Sequence, residues 1–363
     1  MTSDDYNLKH GLFDDLAYEY PIIARNEQWK ILEDFINKDS KGSRTFLIVG
    51  DYGCGKTLFL QNVKNKFRDG EFANSEKSLV ISMRVIEGEP ESKIGLSFVT
   101  RAFQKIGYGK ITQIAKKVSS LDERLFDSNF QKIIQALQNQ EREAYDWLCG
   151  VALTEKTRRI FGIQKNLSTS NEALSVFFNF LKLCKQAEIE NVYLLIDEFE
   201  YVVTSYSQKQ VDALLYLFKD IYDKYGEEQD TMAKTIFIIA MTPGCWDFLL
   251  NMEDRRTGGG GAIPWKERVN PNINQIQLLR FNENETEDLL IQRIKMNRIK
   301  HSDKLPHDTW PFVRPEFFSI IYEKGEGIPR KCLKYCDHVF DCGIEDNVDE
   351  FDGEYTKKIL DKI

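Results

Sequence analysis

The chain has 363 residues, 42% of them hydrophobic, so it can form one large domain or two ordinary ones around a sizeable core. No run reaches the roughly 18 apolar residues that span a bilayer, and the amino end is too acidic and polar for a secretory signal, so we expect a soluble, cytoplasmic protein without membrane partners. The formal net charge of −8 argues against a monomer that binds nucleic acid by bulk charge alone. Seven scattered cysteines do not resemble a disulfide framework, and we expect free thiols.

Five short runs rich in β-branched and aromatic residues predict strands. Several are apolar almost throughout, which is typical of strands buried on both faces of a parallel sheet. Helical patterns lie between them, and this alternation predicts an α/β fold with helices on both faces of the sheet. The predicted strands are 45–50, 79–85, 192–199, 235–242 and 273–279. The predicted helices are 57–67, 91–106, 130–149, 171–186 and 208–225.

The spacing of the strands predicts the domain organisation. The second and third predicted strands are far apart, and the residues between them have mostly helical patterns, which indicates a helical insertion at about residues 90–190. After residue 279 only helical patterns follow. We therefore expect an α/β domain over residues 1–282 and a small all-helical lid domain over residues 283–363.

The stretch GDYGCGKT, residues 50–57, follows the first predicted strand and opens a predicted helix. It fits the pattern G-x-x-x-x-G-K-[ST], in which glycines let backbone N–H groups approach a polyphosphate closely. The helix N-terminus and Lys56 add positive charge, and the Thr57 hydroxyl is suited to Mg²⁺. We expect ATP here; the alternative is a glycine-rich turn with an incidental lysine. The predicted nucleotide contacts are Gly50, Asp51, Tyr52, Gly53, Cys54, Gly55, Lys56, Thr57 and Leu58.

A second candidate is the carboxylate pair Asp197 and Glu198, which ends the apolar run VYLLI. Acidic side chains are costly to bury unless a cation balances them, and a nucleotide-bound Mg²⁺ would do so. In this interpretation Asp197 binds the metal, directly or through water, and Glu198 polarises the water that attacks the γ-phosphate. The alternative is a strand that simply surfaces into an acidic loop.

The order of the motifs resembles that of AAA+ ATPases. GDYGCGKT and LLIDEFE are followed by the strand TIFIIAMTP and then by GEGIPRKCL in the helical tail. The sequence looks most like the initiator-type branch, which includes the origin-recognition and replication-licensing ATPases. It is also similar to the ATP-binding proteins of BREX-like phage-defence systems, through YDWLCG and LTEKTRRIFGI in residues 145–163. The resemblance covers residues 20–340 and implies a P-loop NTPase with a five-stranded parallel sheet.

The resemblance also implies three further site residues. Thr242, at the end of the fourth predicted strand, matches sensor 1, a polar side chain that helps to position the attacking water. Arg330 in GIPR matches sensor 2, where a lid arginine reaches the γ-phosphate. Arg268 is the candidate arginine finger offered to the ATP of a neighbouring subunit, although Arg255 and Arg256 lie in the same connection.

Two features of the sequence depart from the family pattern. The segment before the first strand resembles the one that closes over adenine, so Ile22 and Ile23 are candidate adenine contacts, but Ala24 stands where a glycine is usual. Initiator ATPases usually carry a winged-helix DNA-binding domain after the lid, and only 33 residues follow Arg330 in this 363-residue sequence. We therefore expect any DNA or RNA contact to be made by loops of an assembly or by a partner protein.

Three functions remain open at this point. The leading one is an Mg²⁺-dependent ATPase that assembles with itself or with an effector protein and works on nucleic acid or a nucleic-acid complex, in phage defence or in replication. The second is an ATP-dependent switch or assembly platform that recruits an effector, with hydrolysis only resetting it. The third, a P-loop kinase for a small molecule, would leave the acidic pair, GIPR and the helical tail unexplained.

Overall fold

A five-stranded sheet with the strand order β2-β3-β4-β1-β5 organises the larger part of the molecule. The neighbours β2 and β3, β3 and β4, and β4 and β1 pair in parallel. All seven residues of β3 are buried, as expected for a strand covered on both faces. The strands are β1 Arg44–Gly50, β2 Ser78–Arg84, β3 Asn191–Asp197, β4 Lys234–Met241 and β5 Gln275–Leu278.

The computed structural model describes residues 6, 8–9, 13, 21–38, 44–85, 90–118, 122, 124–251, 269, 274–298 and 305–363. The chain divides into two compact units. The first, called here the lid unit, comprises Met1–Lys30, Gly50–Asn62 and Gln277–Ile363. The second, called here the sheet unit, comprises Ile31–Val49 and Val63–Ile276. Within the described residues, no helix is both long and apolar enough to cross a membrane.

The sheet unit has one continuous hydrophobic core, which runs from the sheet into the helices between β2 and β3. These helices form the insertion expected from the sequence. Helices α1 Asn26–Asn37 and α2 Lys56–Arg68 flank β1 in the chain. The helices of the insertion are α3 Ile94–Ile106, α4 Tyr108–Lys117, α5 Ser128–Gln138, α6 Arg142–Leu148, α7 Glu155–Phe161 and α8 Ser170–Gln186. The later helices of this unit are α9 Tyr201–Ser205, α10 Gln208–Glu228 and α11 Pro243–Asn251.

The single helix predicted over residues 130–149 is wrong. The structure has two helices there, α5 and α6, separated by Gln140 in a left-handed conformation with φ of 66°. The N–H of Glu141 donates to the carbonyl of Ala136 at 2.9 Å, and that of Gln140 donates to the carbonyl of Leu137 at 2.9 Å. This bonding closes the end of α5 without the glycine that usually marks such a position.

The lid unit has its own core, formed by the carboxy-terminal helices together with Tyr6, Leu8 and Phe13 from the amino-terminal segment. Its first carboxy-terminal helix begins after Asn282, whose side chain accepts a hydrogen bond from the N–H of Glu285 at 2.9 Å. The domain boundary near Asn282 stays a prediction. The carboxy-terminal helices are α12 Glu283–Met296, α13 Glu316–Gly325, α14 Pro329–Asp346 and α15 Gly353–Leu360.

Gly327 is a position in the lid unit that tolerates no side chain. Its φ is 66°, and a Cβ there would lie 2.1 Å from the carbonyl oxygen of Phe281. The backbones are also joined by a hydrogen bond of 2.7 Å from the N–H of Phe281 to the carbonyl of Gly327. The GEGIPR segment is therefore held against the chain that leads into α12.

The substitution Gly327→Ala should lower the free energy of unfolding by at least about 2 kcal/mol, because it combines a left-handed backbone with a clash against backbone. Urea or thermal unfolding measures this. Gly226→Ala, in α10, is the matched control, since a Cβ there meets nothing within 4 Å. The control should be neutral or slightly stabilising. Equal stability of the two variants would contradict this account of Gly327.

Candidate functional site

The phosphate loop, residues 50–57, is shaped by two glycines in the left-handed region. Gly53 has φ of 83° and Gly55 has φ of 93°. Residues with a Cβ rarely adopt this conformation, so the glycines let the loop turn back on itself. Helix α2 begins directly afterwards at Lys56, and the N–H of Phe59 donates to the carbonyl of Gly55 at 2.9 Å. The loop therefore opens onto a helix N-terminus, which favours anions.

Lys56 carries a buried positive charge inside this loop. The side chain is 7% exposed. Its ammonium donates to the backbone carbonyl of Gly50 at 2.8 Å and to that of Asp51 at 3.2 Å. The Tyr52 ring centroid lies 5.4 Å from the ammonium. The loop is thus folded around the Lys56 ammonium. A bound polyphosphate requires positive charge of this kind.

The phosphate loop packs on the GIPR segment within the lid unit. The N–H of Arg330 donates to the carbonyl of Gly53 at 3.2 Å. A Cβ on Gly53 would lie 2.9 Å from Cγ2 of Ile328 and 3.0 Å from Cβ of Arg330. Pro329 is the first residue of α14 and Arg330 is the second, with an exposed side chain. Two motifs that are far apart in sequence are therefore in direct contact.

Arg25 is a residue of this region that the sequence analysis did not single out. It is 6% exposed, it donates to the carbonyl of Leu279, and its guanidinium carbon lies 4.3 Å from the Phe281 ring centroid. Burial lowers the pKa of Arg25, while the charges of Glu285 and Cys54 act in the opposite direction. Arg25 thus fixes the start of α1 against the segment that leads into α12.

The remaining predicted contacts in the lid unit are distributed around the loop. Ile22 and Ile23, the candidate adenine contacts, are half-buried just before α1, and their role stays a prediction. Thr57 is half-buried in the first turn of α2, and Leu58 follows it. Asp51 is exposed, with a carboxylate oxygen 3.9 Å from Nε of Arg280. This exposed pair contributes little to stability.

The acidic pair lies at the carboxyl end of β3 in the sheet unit. Asp197 is the last residue of the strand and is 7% exposed. Its Oδ1 accepts the N–H of Glu198 at 2.9 Å. Glu198 has φ of 54°, and its Oε2 lies 3.3 Å from Nε of Arg84, the residue that ends β2. Oxygen donors of this kind suit Mg²⁺, so the residues present fit the predicted metal.

Thr242 lies at the same edge of the sheet as the acidic pair. It directly follows β4, and its Oγ1 accepts the N–H of Cys245 at 3.4 Å at the start of α11. The N–H of Phe199 donates to the carbonyl of Ala240 at 3.1 Å, which ties the chain after Glu198 to β4. Val49, the residue before the phosphate loop, pairs with Met241. The strands β1, β3 and β4 therefore bring their carboxyl ends together.

Arg84 is the second residue that the sequence analysis missed. It lies near the end of the predicted strand 79–85, but the sequence does not say which strand lies beside it. The observed register pairs Arg84 with Asp197, and this places its guanidinium next to Glu198. Arg268, the candidate arginine finger, lies outside the described residues.

Comparison with known proteins gives a fold. No protein-family model matches the chain, and no curated protein matches it significantly. The chain is similar to the Aeropyrum pernix ORC2 protein in its ADPNP-ADP complexes, with a TM-score of 0.55 and 12% identity over 98% of this chain and 72% of that chain. The ADP form of that protein matches with a TM-score of 0.49 and 12% identity, over 98% of this chain and 73% of that chain. Drosophila ORC bound to DNA matches with a TM-score of 0.49 and 10% identity, over 96% of this chain and 64% of that chain.

The first of these likenesses confirms the fold class predicted from the sequence. The chain shares the α/β fold of that protein, with a five-stranded sheet, a helical insertion between β2 and β3 and a helical carboxy-terminal region. Identity of 12% carries the fold alone. The resemblance to BREX-like proteins stays a prediction.

The reactivity of the Cys54 thiol in the phosphate loop should depend measurably on pH. It is 3% exposed, and burial raises the pKa of its thiol, with the positive charge of Arg25 acting in the opposite direction. A raised pKa leaves less of the reactive thiolate at any given pH. At about pH 8, alkylation of Cys54 by iodoacetamide should therefore be slower than that of a cysteine peptide with a pKa of about 8.5.

Peptide mass spectrometry measures this rate, with Cys54→Ser identifying the labelled peptide. The ratio of the Cys54 rate to the peptide rate should increase between about pH 8 and pH 10, because the peptide reaches its plateau first. A Cys54 rate equal to that of the peptide, or a plateau by about pH 8, would contradict the buried thiol described above.

Proposed function

We propose that this chain is an Mg²⁺-dependent ATPase of the AAA+ type, and that the phosphate loop binds the triphosphate of ATP. The observation that carries the proposal is the buried ammonium of Lys56 on the carbonyl of Gly50, inside a loop whose Gly53 and Gly55 are left-handed. On ATP binding, the ammonium exchanges these carbonyls for the β- and γ-phosphate oxygens. The backbone N–H groups at the start of α2 donate to the same phosphates.

The chain's own residues supply the groups for hydrolysis. Mg²⁺, when bound, neutralises charge on the β- and γ-phosphates. Thr57 and Asp197 are the residues that would hold it, by hydroxyl and carboxylate oxygen. Glu198 accepts the proton of the attacking water, and the ion pair with Arg84 at 3.3 Å holds this carboxylate in place beforehand. Release of Glu198 from Arg84 is then part of activation.

Thr242 and Arg330 act on the same reaction. Thr242, at the edge of the sheet that carries the acidic pair, orients the attacking water as sensor 1. Arg330 acts as sensor 2, and the hydrogen bond of its N–H to the carbonyl of Gly53 connects α14 to the phosphate loop. Nucleotide state is thereby transmitted to the lid helices. Ile22 and Ile23 line the adenine.

The partners are other copies of this chain or an effector protein, with Arg268 completing the site of a neighbouring subunit. The assembly acts on DNA or RNA, or on a complex that processes it, in phage defence or in replication. Support comes from the resemblance to initiator-type ATPases in the motifs 50–57, 197–198 and 327–330. The cytoplasm is the proposed location.

A second function is favoured by the contact between the phosphate loop and GIPR. The backbone N–H of Arg330 donates a hydrogen bond to the carbonyl of Gly53, so ATP binding alone can reposition the lid unit's helices. The chain would then be a switch or assembly platform that recruits an effector while ATP is bound. Hydrolysis would only reset it.

The substitution Lys56→Met should weaken ATP binding roughly 10- to 100-fold, because it removes a charge-assisted hydrogen bond of about 1.5–3 kcal/mol. Isothermal titration with ATP and Mg²⁺ measures the affinity. Lys64→Met, an exposed lysine further along α2, is the matched control and should bind like the unchanged protein. Equal affinities of the Lys56→Met and Lys64→Met variants would refute the assigned phosphate loop.

The substitution Glu198→Gln should leave ATP binding intact and lower turnover about 10²- to 10⁴-fold, as expected for loss of a general base. Phosphate release and nucleotide binding are measured side by side. Glu227→Gln, at an exposed position in α10, is the control. If the Glu198→Gln variant still supports the cellular process that requires this protein, the chain is a switch. If that process fails, the chain is a motor or remodeller. Unchanged turnover would remove Glu198 from the mechanism.

An arginine finger supplied by a neighbour contributes about 10³- to 10⁵-fold to phosphoryl transfer in related enzymes. Specific ATPase activity should therefore fall steeply when the protein is diluted through its dissociation range, as followed by light scattering. Arg268→Ala should remove this concentration dependence. Constant specific activity across roughly a hundredfold dilution that dissociates the assembly would contradict a shared site.

A further inference from the structure

A cavity of about 540 Å³ lies in the sheet unit, at the amino-terminal ends of the strands. Buried side chains form its floor, including Tyr193 with 1% exposure and Tyr225 with 8%. Arg44 and Lys234 line it from the first residues of β1 and β4. Pockets of 300–1,000 Å³ are of the size that small molecules occupy. This cavity lies at the sheet edge opposite to Asp197 and Thr242, so the proposed ATPase chemistry does not use it.

The described residues that line the cavity carry an excess of positive charge. Four are cationic, namely Lys38, Arg44, Lys77 and Lys234, and two are carboxylates, Glu190 and Asp230. This local excess occurs on a chain whose formal net charge is −8. A concave surface lined by one sign of charge concentrates ligands of the opposite sign.

The two carboxylates do not cancel the positive charge of the lining. Glu190 forms an ion pair with Lys185, which reduces its repulsion of a bound anion. Asp230 is exposed to solvent. Arg44 is held in position by Phe35, with its guanidinium carbon 4.3 Å from the ring centroid. A fixed planar guanidinium is well suited to two oxygens of one phosphate group.

The uncharged lining indicates what the rest of the ligand is like. Asn191, 9% exposed, contributes a side-chain amide, and Asn74 and Gln229 contribute two more. The phenol groups of Tyr193 and Tyr225 add further polar atoms and flat apolar faces. Amides and phenols both donate and accept hydrogen bonds, so they suit a body rich in hydroxyl groups.

We propose that this cavity binds a small phosphorylated molecule, no larger than a mononucleotide, with its phosphate between Arg44 and Lys234 and its polar body over the tyrosines. No described lining residue belongs to the phosphate loop, and the proposal does not depend on ATP hydrolysis. A phosphate monoester carries close to two negative charges at neutral pH, which matches the charge excess of the lining.

Titration calorimetry with ribose 5-phosphate and with inorganic phosphate tests the proposal. The protein carries Lys56→Met, so that the phosphate loop does not contribute. We expect ribose 5-phosphate to bind with Kd below about 1 mM, inorganic phosphate to bind more weakly, and unphosphorylated ribose not to bind. Absence of binding by both phosphate compounds would overturn the proposal.

The location of binding is tested by adding Lys77→Met and Lys234→Met to that background. These changes keep the aliphatic stems and should weaken ribose 5-phosphate binding at least about tenfold. The control is Lys209→Met, an exposed lysine at the far end of α10 from Tyr225. Unchanged affinity in the double variant, with native circular dichroism, would place the phosphate elsewhere. A crystal soaked in ribose 5-phosphate supports the proposal only if the phosphate contacts Arg44 or Lys234.

Discussion

The placement of the Lys56 ammonium on the carbonyl of Gly50 is the interaction on which this account depends. A buried ammonium requires oxygen partners, and a loop can aim its carbonyls inward only where its backbone turns sharply. Gly53 and Gly55 supply those turns with φ of 83° and 93°. The same turns end at the first residue of α2. Positive charge and backbone dipoles are therefore provided by eight consecutive residues, 50–57.

The parallel sheet brings together the other candidate groups, which lie in the sheet unit. Neighbouring parallel strands have their carboxyl ends at the same edge of the sheet. Strand β3 ends there at Asp197, and strand β4 ends there just before Thr242. Burial of Asp197 and the left-handed backbone of Glu198 both cost free energy in an isolated fold. In the proposed mechanism a bound cation would balance the buried Asp197 carboxylate, and Glu198 would act on the attacking water. The ion pair with Arg84 holds the carboxylate of Glu198, the proposed general base, next to a cation.

Sequence alone predicted the features that are local in the chain. The glycine spacing of GDYGCGKT, the apolar strands and the helical insertion each depend on short-range patterns, and the structure contains them. The break at Gln140 was missed because hydrogen bonding closes α5 there without glycine or proline. Arg84 and Arg25 were missed because their partners are set by strand order and by contacts between distant segments. No short pattern encodes these contacts, and the contact of GIPR with the phosphate loop was not predicted either.

The central claim is that the carbonyls around Lys56 occupy the position at its ammonium that the oxygens of a bound triphosphate would take. The most direct measurement is a crystal structure of the chain grown with a non-hydrolysable ATP analogue and Mg²⁺. The account predicts phosphate oxygens enclosed by the N–H groups of residues 53–57, with the Lys56 ammonium moved from the Gly50 carbonyl onto them. A structure in which the analogue binds elsewhere, while Lys56 stays on Gly50, would contradict it.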